Sequence, residues 1–140
     1  MKRALCSMVL LVFITSATAT SFVGLTHEIH FEKNSDHIPA SEVRAIVDWK
    51  IEKQRDFGDG EYDIGTTINK RLNVTRDLAE RRAKAIKSLM QSLGVHLDDV
   101  GSLEDKSSLT TQQEADTAYV MFQPPCTKTH DCGPQPINPR

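Results

Sequence analysis

The chain reads as an α+β fold, a two-layer sandwich of βαβαββ type with two helices packed on one face of a mixed sheet. Three observations predict this. Two segments alternate apolar and polar residues, as half-buried strands do; two longer segments repeat apolar residues at helical spacing; and a short run near the C-terminus is apolar on both faces, as an interior strand is. Their order is strand, helix, strand, helix, then one or two strands. A strand-helix-strand unit joins parallel neighbours by a right-handed crossover, which places both helices on the same side of the sheet.

The first strand is predicted over Leu25 to Phe31, with Leu25, His27, Ile29 and Phe31 on one side and Thr26, Glu28 and His30 on the other. After the turn-like KNSDHIPA, Ser41 is the expected cap of a helix whose apolar face is Val43, Ile46, Val47 and Ile51, with Trp49 packing beside it. FGDG ends that helix, and Tyr62, Ile64, Thr66 and Ile68 alternate as the second strand. Asn73 or Thr75 opens the second helix, which runs to about Leu93 and stops at Gly94. A short third strand is expected within Val95 to Leu103, SSLTTQQE reads as a polar loop, and Ala118 to Phe122 is the interior strand. From Pro124 onward the chain holds five of its six prolines, so this tail is expected to be extended.

The N-terminus indicates the compartment. Lys2 and Arg3 form a basic start, Val9 to Ile14 is an apolar run, and Ala17 and Ala19 make the A-x-A pattern of a secretory cleavage site. The apolar run falls short of the roughly 20 residues a membrane span needs, so residues 1–19 read as a cleaved signal peptide. Cys6 precedes the apolar run, which argues against lipid attachment, and it leaves with the signal. The remainder suits one domain, 20–123, followed by the tail 124–140, with no integral membrane span. The net charge of −2 becomes more negative once Lys2 and Arg3 are removed, which excludes nucleic acid as a charge-driven partner. Cys126 and Cys132 have two readings. A disulfide closing a small loop is favoured in an exported chain and would stabilise by about 2 kcal/mol. A metal site would have only three ligands, Cys126, His130 and Cys132.

The second helix contains the feature of most functional interest. Leu78, Ile86 and Leu89 define its buried stripe, and Arg82, four residues from both Leu78 and Ile86, lies on that stripe. Arg81 has Asp77 four residues before it, and Arg76 and Lys84 both have Glu80 at that distance, but Arg82 has no acid within reach on the helix. A guanidinium buried without an anion costs several kcal/mol. Three outcomes are open: an internal carboxylate such as Asp63, snorkelling of the guanidinium to water, or a ligand carboxylate gripped by two parallel N–H bonds.

The string Leu78-Ala79-Glu80-Arg81-Arg82-Ala83, followed by Ile86, Leu89-Met90 and Gly94-Val95, resembles the L-S-x-x-R-A-x-x-V-x-x-x-L signature of the OmpA-like C-terminal domain family. Upstream, Ile29-His30-Phe31 with Ser35, Ile38 and Pro39 is similar to that family's first strand and following loop. The resemblance runs from about His27 to Phe122. It implies the two-layer fold reached above and noncovalent binding of peptidoglycan through the diaminopimelate of the stem peptide. In the family an aspartate at the end of the second strand meets the ammonium of that ligand and the arginine of the R-A pair meets its carboxylate. Carried over, the arginine is Arg82, while counting back without gaps places Thr67 at the aspartate position, with Asn69 two residues on. Asp116-Thr117-Ala118 stands where many members carry arginines. A hydroxyl or amide in place of the acid costs on the order of 1 to 3 kcal/mol in binding, about tenfold to a hundredfold.

The leading expectation is therefore an exported module binding the peptidoglycan stem peptide through Arg82, Thr67 and Asn69, weakened by the missing acid. The resemblance implies a periplasmic location, with association to the outer membrane or cell wall. The alternative is a structural or interaction protein of a bacterial envelope or secretion assembly that has lost ligand binding, with an envelope-assembly protein as its partner. No catalytic or metal residue and no cofactor is expected. His27, His30 and His37 do not converge, and the sequence has no nucleophile elbow, phosphate loop or H-E-x-x-H.

Overall fold

A computed structural model of the protein describes residues 24–97 and 101–129. The expected signal peptide, the expected start of the domain at residue 20, and Cys132 with most of the tail lie outside the described residues. Four strands form one sheet in the order β1 (Thr26–His30), β4 (Thr117–Gln123), β2 (Glu61–Ile68), β3 (Ser102–Asp105). Two long helices, α1 (Ala40–Phe57) and α2 (Arg76–Ser92), pack on one face, and two single turns, α3 (Gln112–Ala115) and α4 (Cys126–Thr129), flank β4.

The α+β class holds, and the sheet is mixed. β4 runs antiparallel to both β1 and β2, whereas β2 and β3 are parallel neighbours joined through α2. The crossover through α1 does not make β1 and β2 neighbours, because β4 inserts between them. This interior place is what a strand apolar on both faces requires. Ala118, Val120 and Phe122 of β4 join Ile29 and Ile64 on the helix side, where Ile46 of α1 and Ala83, Ile86 and Met90 of α2 close the core. Two glycines allow close approaches that a Cβ would block. A side chain at Gly60 would meet the Gln123 carbonyl and the Phe122 ring, and one at Gly101, whose φ is +86°, would collide with the Ile64 backbone.

Several local expectations are corrected. Ser41 is not the cap of α1. Pro39 holds that position with φ −58° and its carbonyl accepts from Val43 N–H at 3.0 Å, so the helix begins at Ala40. Ile51 is 58% exposed, and the buried side of α1 passes instead through Val43, Ile46 and Trp49 to Lys53. Trp49 packs as expected: its Nε1–H donates to the Gly24 carbonyl at 2.9 Å, and its ring lies against His27 and Tyr62. The polar stretch near residue 111 is not only loop. Thr111 and Glu114 form a reciprocal capping box that starts α3. The tail also begins with a helical turn, α4, opened by Cys126.

Candidate functional site

The carboxyl ends of β1 and β2 and the amino end of β4 meet at one edge of the sheet, and α2 delivers Arg82 to it. Thr75 caps α2, its hydroxyl accepting from Leu78 N–H at 3.2 Å. With the helix phase so fixed, Leu78, Ala79, Arg82, Ala83, Ile86 and Met90 face inward. Arg82 is only 2% exposed. Its Nε–H donates to the Ser35 carbonyl at 2.8 Å, and Nη2 donates to the Glu32 carbonyl at 3.2 Å and to Asp116 Oδ1 at 2.7 Å. The guanidinium also lies over the Phe31 ring, 4.8 Å from its centroid.

Of the three outcomes open for Arg82, the structure has the internal carboxylate. The partner is Asp116, 4% exposed, and not Asp63. Asp63 sits on β2, where its Oδ1 accepts the next residue's N–H at 2.8 Å. Asp116 is itself fixed from the other side, because Gln112 Nε2 donates to Oδ2 at 2.7 Å and to the Leu72 carbonyl at 3.1 Å. The bonds of Arg82 use its Nε–H and its Nη2 group, so the Nη1 group is the part of the fork they leave over. A charge pair this dry is a unit, since removing either partner strands the other in a poorly solvated place.

The other two expected site residues do not converge on Arg82. Thr67 is 3% exposed and shares a sheet face with Gly65, the face away from the helices. There it borders a hollow of about 150 Å³ with Glu104, Lys106, Tyr119 and Met121, and its Oγ1 has no hydrogen-bond partner among the described residues. Asn69 is fully buried and its amide is committed within the fold. Oδ1 accepts from Leu72 N–H at 3.2 Å, while Nδ2 donates to the carbonyls of Lys106 at 3.0 Å and Leu109 at 3.3 Å. Asn69 therefore fastens the chain after β3 across the end of β2 and has no free polar group for a ligand.

A second cavity, of about 790 Å³, lies at the opposite end of β2, between Lys50 and Gln54 of α1 and the turn after α2. Neither cavity is lined by Arg82. Among the described residues no group of three or more His, Cys, Asp or Glu is placed to hold a metal ion, and no helix is long and apolar enough to cross a membrane. The residues that the sequence reading missed are Asp116 and Gln112. The signal for Asp116 was an acid directly before the apolar run of β4, at a place where many members of the family it resembles carry arginines.

No family model and no curated protein matches the chain. Solved structures are similar to it. One is the OmpA-like domain of FopA1 from Francisella tularensis subsp. tularensis SCHU S4, with 14% identity, covering 71% of this chain and 72% of that one at a TM-score of 0.48. Another is the periplasmic domain of Helicobacter pylori MotB, with 16% identity, 75% and 81% coverage and a TM-score of 0.49. A third is an outer membrane protein from Borrelia burgdorferi B31, with 17% identity, 69% and 85% coverage and a TM-score of 0.42. The chain thus resembles OmpA-like domains in its helix motif, and the solved structures similar to it include a domain that bears that name.

Proposed function

We propose that the protein is an exported, noncatalytic module that associates with peptidoglycan, located in the periplasm and acting through Arg82 as the anchor for a carboxylate of the stem peptide. The observation that supports this is a guanidinium held at the carboxyl edge of the sheet in a geometry that already accommodates a carboxylate, with the Asp116 oxygen 2.7 Å away. Thr67 and Asn69 are left out of the ligand contact, because one faces away from Arg82 and the other is fully engaged. Binding is weak on this reading, since the acid that would meet the ligand ammonium is missing and the guanidinium is internally paired.

The Arg82–Asp116 pair also favours a second reading, in which the fold serves as an interaction module of an envelope assembly and the ligand site is closed for good. Co-sedimentation of the purified mature protein with peptidoglycan sacculi separates the two. The wall reading expects sedimentation at low salt that declines only modestly at high salt, because a contact to a guanidinium shielded from water is screened much less than a surface pair. No sedimentation at low salt overturns it in favour of the second.

A further inference from the structure

We propose that the segment 106–115 is a strap that holds the side chain of Asp116 on Arg82, where it competes with the ligand carboxylate, so that the site opens when the strap lifts and that side chain turns away; this rests on the wall reading above. The chemistry of the competitor is that of the ligand. Asp116 offers Arg82 the same planar carboxylate, at the same charge-assisted distance, that a stem peptide would.

The strap is held by polar fastenings and little apolar area as far as Ala115, while the next residue, Asp116, is fixed to the sheet by its carbonyl, which accepts from Phe31 N–H at 2.9 Å. Lys106 N–H donates to the Ile68 carbonyl at 3.0 Å, Asn69 holds the Lys106 and Leu109 carbonyls, and Gln112 bridges the Leu72 carbonyl and Asp116. Ser107, Ser108, Thr110, Thr111, Gln113 and Glu114 are exposed. The apolar anchor is Ala115, one methyl group in a small cluster with Val74 and Leu78, separate from the main core. A segment with so little buried apolar surface belongs to the part of a fold that opens most easily.

The remaining bonds of Arg82 do not come from the strap. Ser35 and Glu32 supply their carbonyls from the loop after β1, and Phe31 supplies its ring. Because the Asp116 carbonyl accepts from Phe31 N–H at 2.9 Å, its backbone stays with the sheet; lifting the strap frees the Asp116 side chain to turn away, which removes the competing carboxylate and leaves the guanidinium held by Ser35, Glu32 and Phe31, with one Nη2 hydrogen released for the newcomer. A site that is preorganised but mostly covered binds with an apparent affinity reduced by the fraction of time it is open.

The test uses the mature chain with meso-diaminopimelate as soluble probe, read on the Arg82 Nε–H signal by NMR, alongside sacculus sedimentation. Asp116→Asn keeps an acceptor for the guanidinium but removes the competing charge, and near-UV circular dichroism checks that the fold persists. It is expected to bind the probe about tenfold more tightly than wild type, and Gln112→Ala, which loosens the strap and keeps both charges, to shift binding the same way by less. A folded Asp116→Asn protein that binds no more tightly than wild type overturns the competition. Where that variant fails to fold, Gln112→Ala decides alone: tighter binding supports the strap and unchanged binding overturns it. Tightened probe binding with no sacculus binding by any variant would sink the wall reading and leave the competition standing. Equal sacculus binding by wild type and Asp116→Asn would do the reverse.

Discussion

Arg81 and Arg82 are adjacent in sequence and belong to different regions of the molecule. Arg81 lies on the solvated face of α2, where it pairs with Asp77 one turn back and with Asp36 of the loop after β1, all three side chains being well exposed. Arg82 lies on the buried face and pairs with Asp116, 34 residues away, with both side chains nearly sealed from water. The residue type and the helix are the same. What differs is the solvent, and it decides whether an ion pair is a minor convenience or a structural requirement.

The comparison is sharpened first by Arg82→Ala. The substitution leaves Asp116 buried without its cation, and a loss of about 3 to 5 kcal/mol in unfolding free energy is expected by urea denaturation. Arg81→Ala removes a screened pair, and a change of about 1 kcal/mol or less is expected, shrinking further as salt is added. Equal costs for the two variants would break the distinction between the faces.

The smallest expected effect concerns a buried polar group on the sheet side. The His27 ring packs against Trp49, its Nε2 is buried with no hydrogen-bond partner among the described residues, and burial is the main cause holding its pKa below the ordinary 6.5; His30 adds to the lowering, while Glu42 and Glu28 oppose it. The folded state therefore binds the proton less readily than the unfolded chain does. Stability is complete above pH 6.5 and falls as the pH drops below it, because only the unfolded chain gains the proton there. His27→Phe is expected to flatten that slope in urea titrations across the same window. An unchanged slope would show that another group carries it.

Periodicity made the scaffold legible. β1, β2, α2 and β4 lie where alternation and helical spacing put them, because each buries a stripe that the sequence states directly. α1 was less so: Ile51 is apolar yet exposed, and Lys53 is charged yet buried, beside Glu52 at 2.8 Å, so the helix phase was set by tertiary contacts that local pattern does not encode. α3 escaped notice because its four residues are too few for a period, although the Thr111–Glu114 spacing of a capping box was there to be read. At the site, the orphaned state of Arg82 within its own helix was visible, and so was the need for an anion. Which acid would answer was not, since Asp116 reaches Arg82 only after β4 takes its place between β1 and β2. Asn69 was expected as a ligand contact because the resemblance places it two residues beyond the position of the family aspartate, and its commitment to Lys106 and Leu109 exists only in three dimensions.

The account depends on Arg82 and Asp116 acting as one buried unit at the edge of the sheet. A double-mutant cycle of Arg82→Met and Asp116→Leu, measured by urea denaturation, tests this most directly. The account predicts single variants that are each strongly destabilised and a double variant that recovers much of the loss, with a coupling on the order of 2 kcal/mol or more. Additive losses, with coupling near zero, would show that the two side chains do not depend on each other and would contradict it.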